Sequence, residues 1–256
     1  MKIAVSGKGG AGKTTLSANL VYCFSRDQYK VFAVDADPDA NLGLTLGFDP
    51  QELDKMKPLI EMKELIQAKT GGGGLFYDLS PQVDDVLEDY SLKKGNISLI
   101  IMGAIKQGGT ACYCKENSFL HAVINALLLD KDEVVLLDMS AGIEHLTRGT
   151  AGGVDLLLVV TEPNRAGIKT AGNVIKLARD LGIKRVKIIG NKIRKEEEEE
   201  GIIRAAFPQD NIMGFIPFAE KIWERAASVD IPLFEDKDLL PGMGDIYKKV
   251  LGEVKD

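Results

Sequence analysis

The sequence predicts an α/β fold: a doubly wound, mainly parallel sheet with helices on both faces. Two observations carry this. Seven short apolar runs recur along the chain, at Ile3–Val5, Val31–Val34, Ile97–Met102, Val134–Leu137, Val154–Val160, Val186–Ile189 and Ile212–Ile216. Most are continuous rather than alternating, which suits strands covered on both faces. Between most of them lie longer stretches of helical periodicity, such as Leu16–Arg26, Phe119–Leu129 and Ile168–Leu181. Strand, helix and strand repeated in this way build a parallel sheet.

The chain has 256 residues, 45% of them hydrophobic, enough for one sizeable core and one domain spanning residues 1–256. Residues from about 48 to 110 read as a long insertion between two strands, with a helix at Leu59–Ala68 and a flexible Gly71-Gly72-Gly73-Gly74 tract. The acidic run Glu196–Glu200 reads as a solvated helix face or a loop. Ile246, Val250 and Val254 recur at helical spacing and predict a packed terminal helix. The net charge is −6 with mixed signs, which argues against nucleic acid as a partner. No segment approaches the roughly 18 apolar residues of a membrane span. The apolar run after Met1-Lys2 is too short for a signal peptide, so the expected location is cytoplasmic, away from membranes. Three cysteines are too few for a disulfide framework and read as reduced, a setting where metal or redox chemistry is their commoner use.

The clearest chemistry is at Gly7-Lys8-Gly9-Gly10-Ala11-Gly12-Lys13-Thr14-Thr15. Gly7 through Thr14 fits the P-loop pattern, after an apolar strand and before a helical pattern, which is its required context. The backbone of Gly9, Gly10, Ala11 and Gly12 would curl so that N–H groups point inward, and the helix N-terminus adds its positive end. Lys13 would neutralise the β- and γ-phosphates, Thr14 would offer a hydroxyl to Mg²⁺, and Thr15 would reach the α-phosphate.

Lys8, just after the first glycine, narrows the class. The run Gly-Lys-Gly-Gly-x-Gly-Lys-Thr-Thr resembles the deviant Walker A motif of the MinD/ParA/nitrogenase-iron-protein ATPases. The resemblance implies ATP hydrolysis in a nucleotide-bridged homodimer, with Lys8 reaching the phosphates held by the other copy, much as an arginine finger does. The segment Asp35-Ala36-Asp37-Pro38-Asp39-Ala40-Asn41 looks like the family's second-strand motif and first switch. It implies that Asp37 orients the attacking water and that Asp35 lies nearer the Mg²⁺ shell. Asn41 stands where the iron protein has an acid. Asp138-Met139-Ser140-Ala141-Gly142 resembles a Walker B strand end and second switch, with Asp138 on Mg²⁺ through water and Gly142 close to the γ-phosphate. Asn191-Lys192, following the strand Val186–Ile189, would read the base. GTPases carry an Asp two residues further on; here Arg194 stands there and cannot accept guanine's hydrogen bonds, so ATP/ADP is expected. Pro217 and Phe218 would flank the adenine by resemblance.

The second feature is Cys112-Tyr113-Cys114. In an extended chain residues i and i+2 face the same side, so both thiols would point to one place. Zinc, or square-planar nickel, wants four ligands, and a two-fold dimer would bring four thiolates together on its axis. Partly buried apolar packing of the two cysteines is the plainer reading, and a C-x-C disulfide would close a strained ring. His121 could add a ligand or simply pack a helix. The iron protein has a cluster cysteine after the second switch, where this chain has Met139, Ser140 and Ala141, so an iron–sulfur cluster of that type is not implied. The pair instead resembles the nickel-insertion ATPases that mature Ni–Fe carbon monoxide dehydrogenase, and the related factor for acetyl-CoA synthase. That likeness implies a homodimer bridged by nucleotide and metal, Ni²⁺ as cargo (with Zn²⁺ able to take the same thiolates), and one of those enzymes as client. A MinD/ParA-like switch without a metal role is the alternative.

Overall fold

The computed structural model describes residues 1–71, 78, 81–103, 118–120, 122–124, 132–141, 143, 153–226 and 240–255. All seven apolar runs are strands: β1 (Lys2–Gly7), β2 (Lys30–Ala36), β4 (Ile97–Ile101), β5 (Glu133–Met139), β6 (Leu156–Thr161), β7 (Val186–Ile193) and β8 (Ile212–Pro217). With β3 (Leu92–Lys94) they form an eight-stranded sheet in the order β3-β4-β2-β5-β1-β6-β7-β8. Every pairing is parallel except β3 with β4. The helices are α1 (Lys13–Arg26), α2 (Leu42–Thr45), α3 (Pro50–Leu53), α4 (Lys63–Thr70), α5 (Asp84–Asp89), α6 (Arg165–Asp180), α7 (Glu196–Ala206), α8 (Glu220–Ala226) and α9 (Met243–Lys255); residues 118–120 and 122–124 are also helical.

The continuous apolar runs have a simple cause. Alternate residues of each strand feed opposite layers. On β1, Ile3 and Val5 join Leu16, Leu20 and Phe24 of α1 and Ile246 and Val250 of α9. Ala4 faces the other layer, with Ala171, Val174 and Ile175 of α6. A strand covered on both sides has few positions for a polar residue until it leaves the core. β1 lies between β5 and β6, and the strand order departs from it in both directions. The crevice at the carboxyl end of such a switch point is where open α/β sheets take ligands.

Three expectations change. The 48–110 span is not set apart from the fold, because β3 and β4 lie within it and belong to the sheet. β3 escaped notice because it has no apolar run: Lys93 and Lys94 are exposed on an edge strand, where charge discourages further pairing. The helix expected at Leu59–Ala68 is a 3₁₀ turn (Leu59–Glu61) followed by α4, broken at Met62 (ψ 67°). The turn is held in place by Ile60, whose N–H donates to the Met102 carbonyl at 3.2 Å. Finally, β7 runs on through Asn191 and Lys192 to Ile193, so these two residues lie in the strand rather than after it. The glutamates at 196–199 fill the first turn of α7, where the helix dipole favours negative charge. Among the described residues no helix is long and apolar enough to cross a membrane.

Candidate nucleotide-binding site

The loop from β1 to α1 is shaped by its glycines. At Gly7 a Cβ would lie 2.2 Å from the Val160 carbonyl oxygen, so only glycine lets the chain leave the sheet this close to β6. Gly10 (φ +78°) and Gly12 (φ +93°) take left-handed conformations that side chains resist. Gly12 is the N-cap of α1, which has no side-chain cap and no acid in its first turn. The N–H groups opening α1 therefore lack the side-chain partner that helix starts usually recruit, and they suit an anion. A Cβ added at Gly9 or Gly10 would meet nothing within 4 Å, as an open cradle requires. Lys13 opens the helix and is 7% exposed. Lys8 is half-buried, and its carbonyl accepts the Ala11 N–H at 3.1 Å.

Two carboxylates lie beside this loop, Asp35 and Asp138, paired in register across β2 and β5 and both buried. Asp138 Oδ1 accepts the Ser17 hydroxyl at 2.9 Å. Its other oxygen, Oδ2, is buried with no hydrogen-bond partner among the described residues. Burial pushes the Asp138 carboxyl up to about 6, against the pull of the Thr14 and Ser17 hydroxyls and the Lys13 charge. An orphaned buried carboxylate oxygen beside a hydroxyl suits a hydrated Mg²⁺, which takes one or two carboxylates and keeps several waters. Asp35 is engaged differently. Its Oδ1 accepts the Asp37 N–H at 3.1 Å and its Oδ2 the Leu42 N–H at 2.8 Å. The residue expected nearer the Mg²⁺ shell thus clasps both ends of the 37–42 loop. Burial pushes its carboxyl up to about 7. Asp37 is half-buried, and its Oδ1 accepts the Asp39 N–H at 3.1 Å in a turn completed by Ala40 (φ +46°).

These two carboxyls give a pH dependence. Both hold a proton more tightly when folded than at the ordinary value of 3.8. The folded state therefore binds more protons than the unfolded chain between that value and about 7, and stability falls as pH rises through that window. Thermal melts of nucleotide-free protein should show Tm declining from pH ~5 to pH ~7, and saturating Mg–ADP should flatten the decline.

Beyond the glycine loop lies a cavity of about 320 Å³. It is lined by Gly10, Gly12, Lys13, Thr14 and Thr15 of the glycine loop and the start of α1, by Asn191 and Lys192 of β7, by Pro217 and Phe218, and by Ile222 and Leu240. The structure thus brings the expected phosphate and base residues to one space. The Arg194 guanidinium sits 3.6 Å from the centre of the Phe218 ring and covers one of its faces. Leu240 is tied in by Asn19, whose Oδ1 accepts its N–H at 2.9 Å while Nδ2 donates to the Thr15 carbonyl at 2.8 Å. Ser17 and Asn19 were missed as site residues. Ser17 had a signal, since it follows Thr14 by three residues and shares its helix face; Asn19 reaches a partner 221 residues away and had none. Cys112, Cys114, His121 and Gly142 lie outside the described residues. Among the described residues, no group of three or more His, Cys, Asp or Glu side chains is placed to hold a metal ion.

Comparison with known proteins agrees with this architecture. The carbon monoxide dehydrogenase accessory protein CooC of Rhodospirillum rubrum is 39% identical over 225 residues, covering 87% of this chain and 85% of CooC. An uncharacterized ATP-binding protein of Methanocaldococcus jannaschii is 40% identical over 228 residues, 87% of each chain. MinD in the MinC:MinD cell division complex of Aquifex aeolicus shares the fold, with a TM-score of 0.67 over 98% of this chain and 95% of that one at 22% identity. The CobQ/CobB/MinD/ParA nucleotide binding domain matches residues 2–233, and the chain belongs to that family of nucleotide-dependent ATPases.

Proposed function

We propose that this ATPase is a cytoplasmic metallochaperone that works as a homodimer and delivers nickel to carbon monoxide dehydrogenase. The observation that carries the reading is the 39% identity to CooC, spread over most of both chains. The Cys112-x-Cys114 pair supports it, since two copies would supply the four thiolates that Ni²⁺ favours.

In this reading ATP lies along the 320 Å³ cavity, its phosphates on the uncapped start of α1 and its base towards Pro217 and Phe218. Lys13 neutralises the phosphates. Thr14 and Asp138 would hold Mg²⁺, which would supply positive charge to offset that of the phosphates. Asp37 orients the attacking water; phosphoryl transfer depends more on positioning than on a strong base. Lys8 acts across the dimer on the nucleotide of the other copy. Arg194, unable to accept hydrogen bonds from guanine, favours ATP over GTP. Nucleotide state then alters the hold on nickel, which requires a difference in metal affinity between the ATP and ADP forms.

The test is to dialyse metal-free protein against Ni²⁺ and count bound nickel. About half a nickel per chain is expected, as a site shared by two copies requires, and it should vanish in the Cys112→Ala/Cys114→Ala protein. Nickel that ignores the thiols would overturn the proposal and leave a switch ATPase of the MinD kind.

A further inference from the structure

Asn191 and Lys192 line the cavity, yet their side chains are directed to the glycine loop. Asn191 is 6% exposed, and its Nδ2 donates to the Ala11 carbonyl at 2.7 Å. Lys192 Nζ donates to the Gly10 carbonyl at 2.6 Å and pairs with Glu162 Oε1 at 2.8 Å. Lys192 reaches this place from a left-handed backbone (φ +62°), where β7 departs from regular register with β8. A non-glycine residue in that conformation carries strain that its surroundings must hold. The Asn191 amide also fills the space beside Gly12, where a Cβ would come within 2.2 Å of Nδ2.

We infer that Asn191, Lys192 and Glu162 form a brace that sets the glycine loop for phosphate, a positioning role for Asn191 and Lys192 that is separate from any contact with the base. This rests on the nucleotide-site reading above. A trans peptide directs its carbonyl and its N–H to opposite sides. With the Ala11 carbonyl drawn to Asn191, the Gly12 N–H faces the other way. With the Gly10 carbonyl drawn to Lys192, the Ala11 N–H turns to the Lys8 carbonyl, which it meets at 3.1 Å. The brace thereby fixes the turn that carries Lys8. Glu162, the residue after β6, ties the lysine of β7 to the strand that lies between β7 and β1.

Inorganic tripolyphosphate, which has phosphates and no base, separates the two roles. Binding of Mg–ATP and Mg–tripolyphosphate would be measured by calorimetry for wild type, Lys192→Met and Glu162→Gln. A brace predicts that Lys192→Met weakens both ligands by the same factor, about tenfold for one charge-assisted hydrogen bond. Glu162→Gln, which leaves every cavity-lining residue in place, should weaken both equally by a smaller factor. A loss confined to ATP would assign these residues to the base and overturn the brace, as would unchanged binding of both ligands in both variants. Wild-type protein that bound neither ligand would refute the nucleotide site itself, and the brace with it.

Discussion

Lys13→Ala is expected to lower ATP turnover by about 10²–10³-fold, the usual consequence of removing one preorganised charge donor from a transition state. Lys13 is the first residue of α1 and 7% exposed, so its ammonium acts where water screens it little. It stands beside an uncapped helix start and lines the cavity. The loss should appear in kcat and in ATP affinity together, because Lys13 meets the phosphates before and during transfer. There is a secondary effect. The Lys13 charge is one of the influences drawing the Asp138 carboxyl down, so without it Asp138 should hold its proton to higher pH and take Mg²⁺ less readily. Single-turnover hydrolysis at several Mg²⁺ concentrations measures both. A variant with near wild-type turnover would remove the phosphate assignment altogether.

Lys8→Ala should separate binding from chemistry. If Lys8 serves the nucleotide of a second copy, its loss leaves ATP affinity nearly intact and lowers turnover by about 10³-fold, the lower range for a trans-acting cation. Complementation makes the test sharper. Lys8→Ala and Asp37→Asn proteins should each be inactive alone. Mixed in equal amounts, half of the dimers would be mixed, each with one site holding both an intact Asp37 and an intact Lys8. Activity should recover to about a quarter of wild type, as a two-fold dimer requires. No recovery on mixing, with each variant able to dimerise, would place Lys8 in its own site and exclude action across an interface.

The strands of this protein are legible because each is covered on both faces and so reads as an unbroken apolar run. β3 is not, since Leu92-Lys93-Lys94 contributes backbone pairing at an edge and almost no burial. The extension of β7 is hidden for the opposite reason: Gly190, Asn191 and Lys192 look like a loop, and only their contacts with the glycine loop and Glu162 explain polar residues in a strand. Much of the site follows the same division. The glycine loop is local in sequence, its chemistry bound to its spacing. The clasp made by Asp35, the tie from Asn19 to Leu240 and the brace from Glu162 join residues by tertiary contact, and no spacing rule announces them. Asp35 shows the point well: the motif resemblance implies a place near the Mg²⁺ shell, and only the fold reveals that its two oxygens hold the loop that carries Asp37.

The placement of β1 also bears on how the protein is made. β1 comes first among the described strands, and its partners are β5 and β6, which end at Met139 and Thr161. At a synthesis rate of about 5–20 residues per second, the glycine loop would wait on the order of ten seconds before either side of its strand could pair. Leu240, which lines the cavity and is tied in by Asn19, arrives later still. A nascent chain therefore carries the whole phosphate motif well before it can assemble the pocket, so nucleotide can become a full ligand, and a stabiliser of the fold, only after Leu240 has been made.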